Sequence, residues 1–99
     1  PKQAMTNSKA VHVLVIGHVQ GVFFRATTRS VANEMGLRGW VRNLPEGHVE
    51  LVAVGPEASL RAFLRYCAEG PKHARVDDIR TNWVEAETSD APLHGFEIR

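Results

Sequence analysis

The segment Gly17-His18-Val19-Gln20-Gly21-Val22-Phe23-Phe24-Arg25 sets two glycines and an arginine where a β-branched run gives way to helical spacing. A glycine-bearing turn that leads into a helix leaves several backbone N–H groups unpaired and pointing outward. Such a nest attracts a compact anion, and the helix dipole adds partial positive charge. Arg25 suits that chemistry better than it suits helix stability. A cation at a helix start opposes the dipole; a bound anion removes the conflict, because a guanidinium forks onto phosphate oxygens. On the loop alone, an ordinary turn with a solvated arginine stays open, since short glycine motifs are weakly specific. Gly21 is followed by Val22 and Phe23 rather than Lys and Ser or Thr, so nothing here points to a nucleoside triphosphate or magnesium.

Asn43, in Gly39-Trp40-Val41-Arg42-Asn43-Leu44, is the second polar candidate. Beside a turn, asparagine is commonly turn chemistry alone. It gains interest only if the fold brings the end of its strand to the start of the helix carrying Arg25. Other polar residues read as structural. Cys67 falls in an apolar helical stripe and is simplest as a small buried hydrophobe. His12, His18, His48, His73 and His94 show no metal-ligand spacing. Asp77 and Asp78 are adjacent on a strand, so they face opposite sides and cannot converge on one atom.

The elements that must position these groups follow from periodicity. Val11 to Ile16 alternates, with Val11, Val13 and Val15 on one face, and Gly17 ends it. Phe24, Thr28, Val31, Ala32 and Met35 recur at helical spacing, and Gly36 suits the position just past the helix. Leu37 to Leu44 and His48 to Val54 flank Pro45-Glu46-Gly47 as an antiparallel hairpin. Pro56 opens a second helix with Leu60, Phe63, Leu64 and Cys67 on one stripe, and Gly70-Pro71 stops it. Val76 to Glu85 reads as a strand, and Leu93 to Arg99 as a short last one with Phe96 and Ile98 inward. This order predicts an α+β fold, the ferredoxin-like βαββαβ sandwich, with an antiparallel sheet and two helices on one face. Residues 1–9 are polar and aperiodic, a flexible tail before a domain over residues 10–99. The fold hosts many unrelated activities, so function must come from the site.

The run GHVQGVFFR, with Asn43 of GWVRN eighteen residues after its arginine and PEGHVEL following, resembles the acylphosphatase signature pair. The resemblance continues through GPEASLRAFLRYCAEGP, ARVDDI and GFEIR, and spans Val11 to Arg99. It implies a metal-independent hydrolase of acyl phosphates, with no organic cofactor, that releases a carboxylate and inorganic phosphate. Carried over by position, it implies that Arg25 and the backbone N–H groups of Val19, Gln20, Gly21, Val22, Phe23 and Phe24 bind the phosphoryl group. Asn43 then orients the attacking water. His18 departs from the family, which commonly has arginine or lysine there; a side chain aimed away from the nest changes local charge rather than chemistry.

Composition narrows the rivals. The 99 residues hold twelve Lys and Arg against eleven Asp and Glu, a formal +1, with no basic run that would mark a nucleic-acid binder. A single cysteine excludes an intramolecular disulfide framework and multi-cysteine metal sites. No apolar run reaches the ~20 residues of a membrane span and no signal segment opens the chain, so the expectation is a cytoplasmic monomer without a membrane or nucleic-acid partner. RNA-recognition modules share the βαββαβ plan and stack bases on aromatics of the third strand. Here that strand, His48 to Val54, has none, although Trp40 and Trp83 are expected on the open face of the sheet. A closer rival is an excised acylphosphatase-like domain of a carbamoyl-transferring maturation protein; a chain ending at Arg99 favours the stand-alone enzyme.

Overall fold

Alternating valines drive the first strand into the centre of a sheet: Val11, Val13 and Val15 are all fully buried. In the computed structural model, which describes residues 8–21 and 23–99, this strand is β1, Ser8–His18. Helix α1 follows over Phe24–Glu34, then strands β2 (Arg38–Asn43) and β3 (Val49–Pro56), helix α2 (Glu57–Glu69) and strand β4 (Arg75–Val84). A short 3-10 turn, Ala86–Thr88, precedes the last strand, β5, Phe96–Ile98. The sheet order is β4-β1-β3-β2-β5. Val11, Val13 and Val15 pair with Ala53, Leu51 and Val49 of β3, and the buried stripes of both helices close over that face. Phe24, Thr28 and Ala32 form the stripe of α1; Leu60, Phe63 and Cys67 form that of α2. Burying each large apolar side chain is worth about 1.5–3 kcal/mol, so Phe24, Leu37, Leu51, Leu60 and Phe63 anchor the two layers.

Four expectations need correction. Ser8 and Lys9 are not tail: they extend β1 and pair with Pro56 and Gly55 of β3, a backbone contact that polar side chains do not oppose. Gly17 does not end β1. It sits at a register shift where β4 crosses so closely that a Cβ would lie 2.0 Å from the Arg75 carbonyl oxygen. The sheet is mixed rather than antiparallel, because the chain leaves β4 at one edge and returns at the other, where β5 lies parallel to β2. The tryptophans also part company. Trp83 pairs with Val11, so it shares the helix face, and the Arg61 guanidinium of α2 stacks 5.2 Å from its ring centre.

Trp40 does lie on the opposite face, but it is 5% exposed and packs with Ala10, Val52 and Val54. Its indole N–H donates to Asp90 at 2.7 Å, and Arg42 and Arg99 stack on the ring. No flat aromatic platform is left there for a base to stack on. Residues 1–7 lie outside the described residues.

Candidate active site

The turn between β1 and α1 is built by backbone conformations that few side chains favour. Gly21 has φ 75° and Phe23 φ 63°, both left-handed. For phenylalanine that conformation is unusual and costs on the order of 1–3 kcal/mol, and the ring gains little from the core because it is 81% exposed. Phe23 is the residue just before α1, with no side-chain cap and no acidic residue in the first turn. The neighbouring Phe24 is 1% exposed and pins the helix start to the core. Adjacent helical residues lie about 100° apart, so a buried Phe24 leaves Arg25 half-buried at the rim of the packed face.

Among the described residues, the backbone N–H groups of Val19, Gln20, Gly21, Phe23, Phe24 and Arg25 find no hydrogen-bond acceptor. Nor does Arg25 have a carboxylate within ion-pairing distance among them. Five other arginines, Arg42, Arg61, Arg75, Arg80 and Arg99, hold acidic partners, whereas Arg29, Arg38 and Arg65 share the lack of one among the described residues. Arg25, a cation at the positive end of a helix dipole, is thus also left without a counter-charge among the described residues. Val22, expected in the same nest, lies outside the described residues.

Asn43 reaches this place from the sheet. It ends β2 on the same face as the fully buried Val41, two residues earlier, and so looks toward α1. A cavity of about 340 Å³ is lined by Val19, Gln20, Gly21, Phe23, Phe24 and Arg25 from the turn and helix, and by Asn43 from β2. Arg25 and Asn43 therefore share one pocket. The Asn43 Oδ1 is buried and has no partner among the described residues. A buried acceptor without a donor costs about 1–3 kcal/mol, so this oxygen is set to receive a hydrogen bond from something that enters the pocket.

Gln20 fixes the two halves of the site to each other. Its side-chain NH2 donates to the Leu44 carbonyl at 2.7 Å and to the His48 carbonyl at 2.9 Å. Those two carbonyls stand at the end of the β2–β3 ladder, where Leu44 N–H in turn donates to His48 O at 2.8 Å. Sequence reasoning placed Gln20 in the nest through its backbone only; its side chain binds carbonyls, which carry no residue-type signal. Ala26 and Ile98 also line the cavity and were not foreseen. Ile98 arrives there because β5 pairs with β2, with Ile98 opposite Val41.

The residues set aside stay away from this pocket. Cys67 is fully buried, and burial pushes its thiol up to about 12, which keeps it protonated at neutral pH. His18 is exposed and does not line the cavity. Asp77 and Asp78 hold Arg75 and Arg80 along the edge strand. No three His, Cys, Asp or Glu side chains converge among the described residues, and no helix there is long and apolar enough to cross a membrane.

The acylphosphatase family profile matches residues 11–98. An acylphosphatase of Rubrobacter xylanophilus is 45% identical over 97 residues, covering 98% of this chain and 86% of the relative. One of Haloarcula marismortui is 45% identical over 95 residues, covering 96% and 99%. The structure of an acylphosphatase from Coxiella burnetii superposes with a TM-score of 0.87 at 38% identity, over the full length of both chains. On the family match and on this identity over nearly the whole length, the chain belongs to the acylphosphatase family.

Proposed function

We propose that this protein hydrolyses acyl phosphates to a carboxylate and inorganic phosphate, with the pocket between α1 and β2 as its active site. The unpartnered N–H groups of the turn and the Arg25 guanidinium receive the phosphoryl oxygens, where fixed dipoles and one charge neutralise the equatorial oxygens as they develop charge. A water accepted by Asn43 Oδ1 attacks phosphorus in line with the acyl oxygen. The P–O bond to the acyl group breaks, its electron pair leaves on the carboxylate, and the protons of the water end on inorganic phosphate. An amide has no basicity near neutral pH, so Asn43 positions the water and removes no proton. The carboxylate is a good leaving group, so the reaction needs placement more than a strong nucleophile.

The single observation that carries this reading is the pairing, in one pocket, of a buried amide oxygen without a donor and a guanidinium without a counter-charge. The decisive experiment measures phosphate release from acetyl phosphate with excess chelator present. Chelator-resistant release supports the reading; a folded chain that releases none overturns it. The same reading has the enzyme act as a cytoplasmic monomer, without metal, and the reduced, buried Cys67 suits such a compartment.

A further inference from the structure

The pocket is larger than a phosphoryl group requires: about 340 Å³ is on the order of ten water volumes. We propose that the space beyond the phosphoryl nest seats the acyl group, and that Phe23 and Ile98 select apolar, uncharged acyl groups there. The inference rests on the proposed hydrolysis and adds the class of substrate. Three observations carry it. First, Phe23 lines the cavity yet is 81% exposed, so the core does not explain a strained phenylalanine at φ 63°. An exposed phenylalanine beside the cavity has apolar surface free for a ligand to cover.

Second, Ile98 lines the same cavity from the opposite element, and three contacts hold β5 in place. Phe96 N–H donates to Asn33 Oδ1 at 3.0 Å, Gly39 N–H to Gly95 O at 3.0 Å, and Arg99 N–H to Val41 O at 2.8 Å. Ile98 is therefore a fixed wall and not a loose terminus. Third, Arg25 is the one charged side chain among the described lining residues. Once it and the nest hold the phosphoryl group, no cation is left for a second anionic group. An acyl group that carries a carboxylate would bring its charge against a phenyl ring and a branched alkyl chain, losing hydration without a partner.

Three non-hydrolysable ligands test this: methylphosphonate, benzylphosphonate and 2-carboxyethylphosphonate, titrated calorimetrically into the purified chain. The same anion enters the nest in each, and only the arm differs. Benzylphosphonate is expected to bind about tenfold more tightly than methylphosphonate, the scale of a small apolar contact in a pocket. The carboxyethyl ligand is expected to bind no better than the methyl one. Phe23→Asn, which tolerates the left-handed backbone, and Ile98→Thr are each expected to shrink the benzyl-to-methyl ratio by about threefold or more. Should either variant fail to fold, the ranking on the unmodified chain still decides. Equal binding of methyl and benzyl ligands, or tighter binding of the carboxyethyl ligand, overturns the seat. Acetyl phosphate hydrolysis by the same preparation separates the two readings: a benzyl preference without hydrolysis refutes the reaction and upholds the seat.

Discussion

The Gln20 side chain donates to the Leu44 carbonyl at 2.7 Å, one residue beyond Asn43, and so ties the turn between β1 and α1 to the end of the strand that carries Asn43. Its second bond, to His48 O, clamps both arms of the hairpin. The partners are two acceptors, which only the NH2 end of the amide satisfies. Turn and hairpin are far apart in sequence, and no other side-chain hydrogen bond described here spans them. On the proposed reading of the site, Gln20 is a positioning residue that acts through Asn43.

Removing this clamp has a defined outcome. Gln20→Ala is expected to lower stability by about 2 kcal/mol, from two hydrogen bonds of about 1 kcal/mol each. Turnover should fall while inhibition by phosphate changes little, because the backbone donors and Arg25 remain. Double-variant kinetics make the test specific: once Asn43 is alanine, Gln20→Ala should add little further loss in kcat. Fully additive losses would show that Gln20 acts on the fold alone.

Arg25→Gln should leave the fold intact, since the guanidinium is half-buried and holds no acidic partner among the described residues. Helix stability should even rise slightly, because a cation leaves the positive end of the dipole. The kcat/KM on acetyl phosphate is expected to fall at least a hundredfold, the scale of about 3 kcal/mol lost from a transition-state cradle. Arg25→Lys should not restore it, because an ammonium cannot fork onto two oxygens. Urea unfolding beside phosphate release checks both halves.

The parts of this site that could be read from the sequence are those written in residue types. Glycine at position 21 and arginine at 25 announce a nest at a helix start, and alternation of Val11, Val13 and Val15 announces a buried strand. What stayed hidden depends on backbone contacts between distant segments. Ile98 enters the pocket only because three residues of β5 pair parallel with β2 at the far edge of the sheet. The Gln20 clamp ends on carbonyls that every residue carries. Gly17 looked like a strand end because its local signal is the same for a stop and for a close approach; the Arg75 carbonyl decides for the latter. Trp83 faced the helices because its register is set by Val11, not by its own neighbours.

On the opposite face of the sheet from the pocket, Glu50 supplies a pH-dependent contribution to stability. Burial pushes its carboxyl up, but hydrogen bonds from His12 and Arg42, with their charges, more than offset this and hold it below the usual 4.5. The contacts are short: 2.6 Å to His12 Nε2 and 2.6 Å from Arg42 Nε. A carboxyl whose folded value is depressed stabilises the fold above its unfolded value, and that contribution disappears as pH falls through the folded one. Stability should therefore drop on acidification below about 4.5, less steeply in Glu50→Gln, as measured by urea midpoints across that range.

Asn43→Ala separates function from stability most sharply. The amide oxygen is buried without a donor among the described residues, so the native fold carries its desolvation cost with nothing in return from the protein. Truncation removes that cost, and the urea midpoint should hold steady or rise by the equivalent of up to about 1 kcal/mol. Turnover should nonetheless fall about a hundredfold or more, because the attacking water loses the acceptor that aims it. Phosphate affinity should change far less than kcat, since the nest and Arg25 are untouched. A marked loss of stability with kcat preserved would make Asn43 a turn residue and nothing else.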